Sequence, residues 1–353
     1  MKKFFIIVII LFVCVVLSII IYTNNLKPVS KESNMIRVEI PEKTGTYEIA
    51  NILKNNKVIK DSLAMFIYSK LNKISALQPG KYDLDNSEDL KTILSHISNG
   101  EVASDEIKIT FIEGKNMRWI AKTIADKTSN TEDDVYNLLK DEEYIDSLIE
   151  KYWFITDEIK DTRIYYPLEG YLLPDTYNFE NPEVSVKTIF NVILNYMEKY
   201  LDENKEDIEK SSLTVHQILT MASIAEVEGS NTDDRANIIG VFYNRLRTGM
   251  SLGSDVTTYY AFKVDMGERN LTTNEINTEN PYNTRGPNMN GKIPVGPINN
   301  PSKSAIDATL HYTDNDYFYF VADKNGKAYF TKNYQEHQNM IKKLKNEGLW
   351  FTY

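Results

Sequence analysis

An uncharged apolar run near the amino terminus constrains this chain more than any other feature, because it limits where the rest of the protein can be. The run extends from Phe4 to Tyr22 and follows Lys2 and Lys3. Its length is close to the roughly 20 residues that an α-helix needs to cross a bilayer. A cleaved signal peptide is the alternative, but the run exceeds the usual apolar core of about 7–15 residues, and no small-x-small site closes it. We therefore predict a retained transmembrane anchor at residues 1–22.

Charges on either side of this run predict its orientation. The two lysines before it favour a cytoplasmic amino terminus, while Lys27 and Lys31 beyond it make the charge difference small. A polar stretch at residues 23–34 is predicted to be a short linker. The body of the chain is then expected outside a cell membrane that the chain crosses once.

Composition narrows the class of protein that follows the anchor. The chain has 353 residues, of which 42% are hydrophobic, so it can bury a substantial core, and two or three domains are the natural number. A net charge of −10 without a long basic segment argues against a nucleic-acid partner. Cys14 is the only cysteine, which excludes disulfides and thiolate metal sites from the rest of the chain. The histidines lack the spacing of a zinc site, and neither metal nor cofactor is expected.

One acidic residue interrupts the apolar face of a predicted helix in the second half of the chain. Thr214 and Gln217 have the spacing of a capping box, so this helix is expected to begin at Val215. Its apolar stripe places Glu226 on the buried side. Burial raises the pKa of an unpaired carboxyl group. Glu226 is therefore a candidate catalytic acid, and a structural carboxylate bound to backbone or to arginine is the alternative.

The segment after Glu226 is predicted to leave the core. Glu228 points about 200° around the same helix, so the two glutamates are not expected to share a pocket. Gly229 is a predicted helix end, which puts Glu226 at the edge of the core, where a cleft can open. A further helix is predicted from Thr232 to Arg247.

Strings of sequence around Glu226 resemble the signature of the endolytic murein transglycosylases, the YceG-like family. The strings are MASIAEVE at residues 221–228 and DRANIIGVFYNRLRTGMSLGSDVTTYYAF at residues 234–262. In that family, the first glutamate of the A-S-I-x-E-x-E motif is the catalytic acid, and it matches Glu226. The resemblance implies an enzyme that cleaves peptidoglycan between N-acetylmuramic acid and N-acetylglucosamine and leaves a 1,6-anhydromuramyl end without consuming water.

Further strings typical of the family supply candidate substrate-binding residues. The strings are PLEGYLLPDTY at 167–177, LGSDVTTY at 252–259 and PYNTR at 281–285. Val256 and Arg285 stand where the family usually has proline and tyrosine. A cap on the following turn is the alternative role of Asn244. The candidates for substrate contact are Glu169, Tyr171, Asn244, Ser254, Asp255, Asn283 and Thr284.

A strand-then-helix pattern occurs twice in the chain. Residues 40–53 align without a gap on residues 111–124 as an imperfect internal repeat. In the family, the first copy lies in a unit that resembles a LysM-like module, a small βα fold often associated with glycan binding. Lys43 stands where the family commonly has glycine, so the turn there is expected to be rearranged. A spacer that holds the catalytic domain away from the membrane is the alternative to glycan contact.

The predicted architecture is an α+β protein in four parts. A transmembrane helix and the linker precede a small LysM-like βα module at residues 35–105, and a mixed α+β catalytic domain with a helix-borne glutamate occupies residues 106–353. The predicted function is a membrane-anchored endolytic peptidoglycan transglycosylase that terminates the growth of nascent strands. A water-using muramidase and a non-catalytic wall-binding scaffold are the alternatives. The resemblance implies glycan strands as substrate and wall-synthesis complexes with penicillin-binding proteins as partners.

Overall fold

The computed structural model describes residues 2–74 and 76–350. Met1, Ser75 and residues 351–353, which belong to the predicted anchor, the predicted LysM-like module and the predicted catalytic domain, lie outside the described residues. The strands are β1 (Met35–Ile40), β2 (Gly80–Asp85), β3 (Ile107–Thr110), β4 (Thr176–Phe179), β5 (Tyr319–Ala322) and β6 (Ala328–Thr331). The helices are α1 (Lys2–Asn25), α2 (Thr46–Asn55), α3 (Ser62–Leu71), α4 (Leu90–Asn99), α5 (Met117–Lys127), α6 (Glu132–Leu139), α7 (Glu142–Lys151), α8 (Val186–Glu203), α9 (Lys205–Lys210), α10 (Val215–Glu228), α11 (Thr232–Arg247), α12 (Asp255–Ala261), α13 (Thr273–Asn277), α14 (Lys303–Leu310) and α15 (Tyr334–Asn346).

Internal contacts divide the chain into a first unit, residues 1–105, and a second unit, residues 106–353. The fold mixes α-helices with antiparallel strand pairs, as the sequence predicts. The strands pair as β1 with β2, β3 with β4 and β5 with β6. Helices therefore supply most of the packing surface around each short ribbon.

The first unit begins with the apolar helix α1, which is long and apolar enough over Phe4–Asn25 to cross a membrane. This helix extends past the predicted end of the anchor. The predicted linker is also not a free tether. Leu26 packs against the core of the unit, its carbonyl accepts the amide of Leu90 at 3.0 Å, and the amides of Val29 and Ser30 both reach the carbonyl of Asn86.

The core of the first unit lies between the β1–β2 ribbon and the helices α2, α3 and α4. Alternation along β1 turns Val38 and Ile40 inward, where they meet Tyr82 and Leu84 of β2 and the apolar stripe of α4. On the outer face, Arg37 pairs with two aspartates. The alternation of apolar and polar residues from Ile36 to Ile40 predicts a strand here, and β1 confirms it.

The internal repeat has a structural counterpart. β1 is followed by α2, and β3 is followed by α5, and the two helices begin at the aligned positions Thr46 and Met117. The turn between strand and helix contains Lys43 with φ 62° and, at the aligned position, Gly114 with φ 70°. The prediction that lysine rearranges this turn is therefore wrong. Lys43 adopts the left-handed conformation that glycine adopts at lower cost.

The second unit is built around α10, which packs on both α11 and α14. Its start at Val215, its capping box and the extent of α11 are as predicted. From Ile218 to Glu226 every side chain of α10 is buried, which is typical of a central helix. The helices before α10 are shorter: a break before Asp141, which caps α7, separates α6 from α7, and α8 stops at Glu203.

Candidate active site

Glu226 lies in the last turn of α10 with 8% of its surface exposed, on the buried side that the sequence predicts. Its carboxylate is bound at both oxygens. The guanidinium of Arg235 donates to Oε1 at 2.7 Å. Ser302 donates to Oε2 twice, from its amide at 2.8 Å and from its hydroxyl at 2.5 Å. These contacts match the alternative role considered from the sequence, a carboxylate held by backbone and by arginine.

Two helix starts create this environment. Arg235 is in the first turn of α11, and Ser302 is the residue that caps α14, where its hydroxyl also accepts the amide of Ala305. The amino-terminal end of a helix attracts negative charge, so α14 and Arg235 together stabilise an ionised carboxylate. In the state seen here, Glu226 accepts hydrogen bonds and does not donate one.

A cleft with a volume of about 450 Å³ adjoins Glu226. We call it the Trp119 cleft. Gly114 connects the two: a Cβ at this position would lie 3.4 Å from Cγ of Glu226 and from the side chain of Val227, and both Gly114 and Val227 line the cleft. The size falls within the range of ligand sites in proteins, roughly 300–1,000 Å³.

The lining of the Trp119 cleft combines aromatic, amide and charged side chains. One wall comes from α5 and the turn before it, and the other from α12 and the residues that follow it. Aromatic faces beside polar groups suit a sugar, which has apolar faces and hydroxyl edges. The residues most suited to such contacts are Asn116, Trp119, Tyr259 and Asn299.

Glu228 has a separate environment, as the sequence predicts for two glutamates at this spacing. The hydroxyl of Ser254 donates to Oε1 of Glu228 at 2.5 Å. Burial raises the pKa of Glu228, and the charge of Asp255 acts in the same direction, while Ser254, Arg285 and Arg245 oppose the change. Glu228 is thus a carboxyl group at the end of α10 that burial disposes to hold a proton.

Glu169 and Tyr171, two of the predicted substrate contacts, lie in the core and not on the surface of the cleft. The amide of Met117 and the hydroxyl of Tyr260 donate to Oε2 of Glu169, and the side chain of Asn300 donates to Oε1. Burial raises the pKa of Glu169 to about 8. Burial also raises the pKa of Tyr171, whose hydroxyl is 2.8 Å from Nδ1 of a buried histidine.

Asn283 and Thr284 are fully buried, and their polar atoms are already bonded. The side-chain amide of Asn283 donates to three carbonyls between residues 275 and 278, and its oxygen accepts the hydroxyl of Thr258. Thr284 accepts the amide of Ser254 and bonds to the hydroxyl of Thr257. The substrate contact predicted for them is therefore not open in this structure, because these bonds hold the loop against α12.

The remaining candidates divide into structural and exposed groups. Asn244 donates to the carbonyls of Asn315 and Tyr317, so it fixes the segment before β5 and neither enters a cleft nor caps the next turn. Ser254 is buried and occupied with Glu228. Asp255 is exposed and paired with Arg285. Of the predicted substrate-binding residues, only Asp255 presents a charged group at the surface.

A larger cavity, of about 1070 Å³, lies at the other end of α10 around His216 and Gln217. Ten residues of helix separate His216 from Glu226, which corresponds to about 15 Å along the axis. The ring of His216 is held between the hydroxyl of Tyr171 and the carbonyl of Val295. This cavity is larger than the Trp119 cleft, but Glu226 and Glu228 are at the opposite end of the helix.

Sequence reasoning missed the two residues that hold Glu226, Arg235 and Ser302. Arg235 follows Asp233 and Asp234 in an ordinary helix start, and Ser302 is one of many serines. Neither has a local signal, since both reach Glu226 through tertiary packing. Trp119 was detectable in principle, because it lies inside the internal repeat next to the turn that contains Gly114.

Comparison with known proteins agrees with the resemblance. The family described as YceG-like matches residues 38–343. The chain is 35% identical over 327 residues to a Bacillus subtilis protein named endolytic murein transglycosylase, covering 91% of this chain and 89% of that protein. It is 30% identical over 345 residues to a Streptococcus pneumoniae protein of the same name, of which it spans 61%. A crystal structure of a YceG-like protein from Listeria monocytogenes superposes with a TM-score of 0.62 at 32% identity, covering 88% of this chain and 100% of that chain.

Proposed function

This chain belongs to the YceG-like family, and from that membership we propose that it is an endolytic peptidoglycan transglycosylase with Glu226 as its catalytic carboxylate. The observation that carries the proposal is the position of Glu226, which is buried at the end of a central helix and adjoins the Trp119 cleft. The reaction cleaves the bond between N-acetylmuramic acid and N-acetylglucosamine within a glycan strand.

One carboxyl group suffices for this reaction because the substrate supplies its own nucleophile. In the first step, the protonated carboxyl of Glu226 delivers its proton to the glycosidic oxygen, and the bond to C1 of the muramyl residue breaks. In the second step, the carboxylate takes the proton of the muramyl C6 hydroxyl, whose oxygen bonds to C1. Glu226 thereby regains the proton that it delivered in the first step, and the product has a 1,6-anhydro end.

The partners of Glu226 fit the second step better than the first. Arg235 and the start of α14 stabilise the carboxylate that remains after proton delivery. In the first step, the carboxyl must hold a proton and turn from Arg235 toward the cleft. Gly114 leaves the path between Glu226 and the cleft free of a side chain.

Glu228 is the competing source of the first proton. Burial raises its pKa, and of the two glutamates it is the one without a direct arginine bond. Kinetics of Glu226→Gln and Glu228→Gln separate the two roles. Loss of turnover in the first variant only supports Glu226 as acid and base. Loss in both would show that Glu228 is required as well, in addition to Glu226.

Two other functions compete with a transglycosylase, and one digestion distinguishes all three. Purified wall glycans are incubated with the detergent-solubilised full chain, and the fragments are weighed. Anhydro ends, which are one water lighter than reducing ends, are expected. Reducing ends would indicate a water-using muramidase, and intact strands would indicate a non-catalytic wall-binding scaffold.

The apolar helix α1 also bears on where the protein lies and what it associates with. We propose that α1 anchors the protein in the cell membrane with its amino terminus in the cytoplasm, which puts the remaining chain on the side where the wall lies. Residues 35–105 would act as a LysM-like module that contacts glycan or serves as a spacer. Termination of nascent strands would bring the enzyme to wall-synthesis complexes that contain penicillin-binding proteins.

A further inference from the structure

Helix α3 has a row of large apolar side chains on its outer surface. Leu63, Ile67 and Leu71 are 56%, 38% and 72% exposed. A spacing of four residues places them in one line along the helix, while Ala64 and Met65 on the opposite side enter the core. We call the three residues the α3 stripe. A contiguous exposed apolar face indicates an interaction surface, whereas single exposed residues do not.

The α3 stripe lies next to the end of α1. Nζ of Lys60, just before α3, is 3.4 Å from the carbonyl of Asn24 in the last turn of α1. Two residues earlier on α1, Tyr22 lies near Tyr68 of α3. Tyr68 is three residues from Leu71, so the stripe borders the side of α3 that meets α1.

The segment that follows α1 is hydrogen-bonded to the body of the first unit. The carbonyl of Leu26 accepts the amide of Leu90, and the amides of Val29 and Ser30 donate to the carbonyl of Asn86. The end of an apolar helix that spans a bilayer lies at the level of the lipid head groups. Because α3 is fixed beside that end, its exposed face is held at the same level.

The charge around the α3 stripe suits a lipid surface. The sequence from Ser62 to Lys73, SLAMFIYSKLNK, has two lysines and no acidic residue; Lys60 and Asp61 precede it, and the charge of Asp61 is paired with Lys54. Lysines at an interface extend their charged ends toward phosphate groups while the stems cover apolar surface. Tyrosines such as Tyr22 and Tyr68 are typical of the interfacial zone.

We propose that the α3 stripe rests in the membrane that α1 spans, as an interfacial helix on its outer leaflet. The proposal depends on the membrane anchor in the proposed function but not on the reaction. An interfacial helix of this kind buries its apolar face roughly 5–10 Å into the boundary between head groups and acyl chains. A lipid contact would explain why three large apolar side chains stay outside the core.

A depth measurement on the full chain tests the proposal. Cys14 is replaced by alanine, a single cysteine is introduced at Ile67, and an environment-sensitive fluorophore is attached after reconstitution into vesicles that contain anionic lipid. Brominated acyl chains are expected to quench this label, and aqueous iodide is expected to reach it poorly. A label at Leu71 is expected to give the same result.

The matched control is a label at Lys81, an exposed residue of β2. It lies five residues from Asn86, whose carbonyl accepts the amides of Val29 and Ser30 after α1, or roughly 16 Å along the strand. Iodide should quench the Lys81 label, and lipid should not. Equal iodide quenching at Ile67 and Lys81 would overturn the proposal. So would an Ile67 label that is shielded from iodide but unaffected by brominated lipid, because a protein would then cover the stripe.

A label at Phe12 in the middle of α1 separates this proposal from the anchor itself. Lipid quenching at Phe12 without quenching at Ile67 refutes only the interfacial helix. Absence of lipid quenching at both positions refutes the anchor and, with it, the interfacial helix. Neither result changes the products of wall digestion, so the proposed reaction is tested independently.

Discussion

Arg235 and Glu226 form a buried ion pair in which Nη2 lies 2.7 Å from Oε1, with 14% and 6% of the two side chains exposed. The pair joins the start of α11 to the end of α10, and Ser302 joins the same carboxylate to α14. Three helices therefore meet at one charged group. This arrangement makes Glu226 important for stability as well as for the proposed reaction.

Glu226→Gln is expected to abolish glycan cleavage while the protein remains folded. Glutamine can still accept from Ser302, but it can neither deliver the proton nor take one back. Anhydro products are measured by mass after digestion, and folding is measured by circular dichroism. Glu150→Gln, on the exposed surface of α7, is the control and should keep full activity. Turnover in the Glu226 variant would eliminate Glu226 as the acid.

A double-mutant cycle on Glu226 and Arg235 should reveal strong coupling. Arg235→Gln leaves the carboxylate buried without its cation, which typically costs about 3–5 kcal/mol of unfolding free energy. Glu226→Gln leaves the arginine unpaired and should also destabilise the protein. The double variant is expected to be more stable than the sum of the two losses implies. Simple additivity in urea unfolding would mean that the pair contributes no interaction of its own.

Stability should depend on pH through Glu169. Its pKa rises on folding from an ordinary 4.5 to about 8, because burial disfavours the charged form. Its contribution is therefore complete below pH 4.5 and is lost progressively as the pH rises toward 8, since only the unfolded chain gives up the proton in that window. The wild type should lose roughly 1.4 kcal/mol per pH unit relative to Glu169→Gln. Urea unfolding at pH 5, 6.5 and 8 measures the difference, and a constant difference contradicts the prediction.

Trp119→Ala is expected to weaken glycan binding more than it slows the chemical step. Loss of an aromatic contact worth about 1.4 kcal/mol raises KM roughly tenfold, with kcat nearly unchanged if the contact is equal in ground and transition states. Trp153→Ala is a matched control, because Trp153 is partly exposed and bonded to Asp202 on α8. Equal KM values for the two variants would remove Trp119 from the glycan site.

Lys43→Gly should stabilise the first unit. Lys43 has φ 62°, a left-handed conformation that costs a residue with a Cβ roughly 1–2 kcal/mol. Glycine removes that cost, but its greater conformational entropy in the unfolded chain offsets part of the stabilisation. The free energy of unfolding is therefore expected to rise by about 0.5–1 kcal/mol. Lys43→Ala retains the Cβ and should give no gain. A gain in the alanine variant would point to the charge instead of the backbone.

Local signals predict much of the fold. The capping box at Thr214 and Gln217 fixes the start of α10, and acidic and basic ends delimit α11, so both helices follow from the sequence. The alternation of apolar and polar residues in β1 and the repeat at 40–53 and 111–124 are also signals between residues close in sequence. The left-handed conformation of Lys43 does not follow from its residue type, because the geometry of the turn outweighs the backbone preference of lysine.

The candidate site was less predictable because its polar residues have two possible uses. Asn283 and Thr284 could bind hydroxyl groups of a sugar or backbone groups of their own loop, and the structure has them on the loop. The burial of Glu226 follows from helical periodicity, whereas Arg235 approaches it from another helix. The partners of Asn283, Thr284 and Glu226 are therefore known only from the tertiary structure.

If α1 is the membrane anchor proposed above, the bonded junction at residues 26–30 limits how far the first unit can move relative to the lipid. A loosely tethered domain samples a hemisphere above the lipid, but a first unit joined this way turns and diffuses with its anchor as one body. Under the proposed anchoring, its height above the lipid is then constant, and the wall that it meets is the part nearest to the lipid. Inserting flexible glycine residues after Leu26 would release that unit to sample wall farther from the lipid.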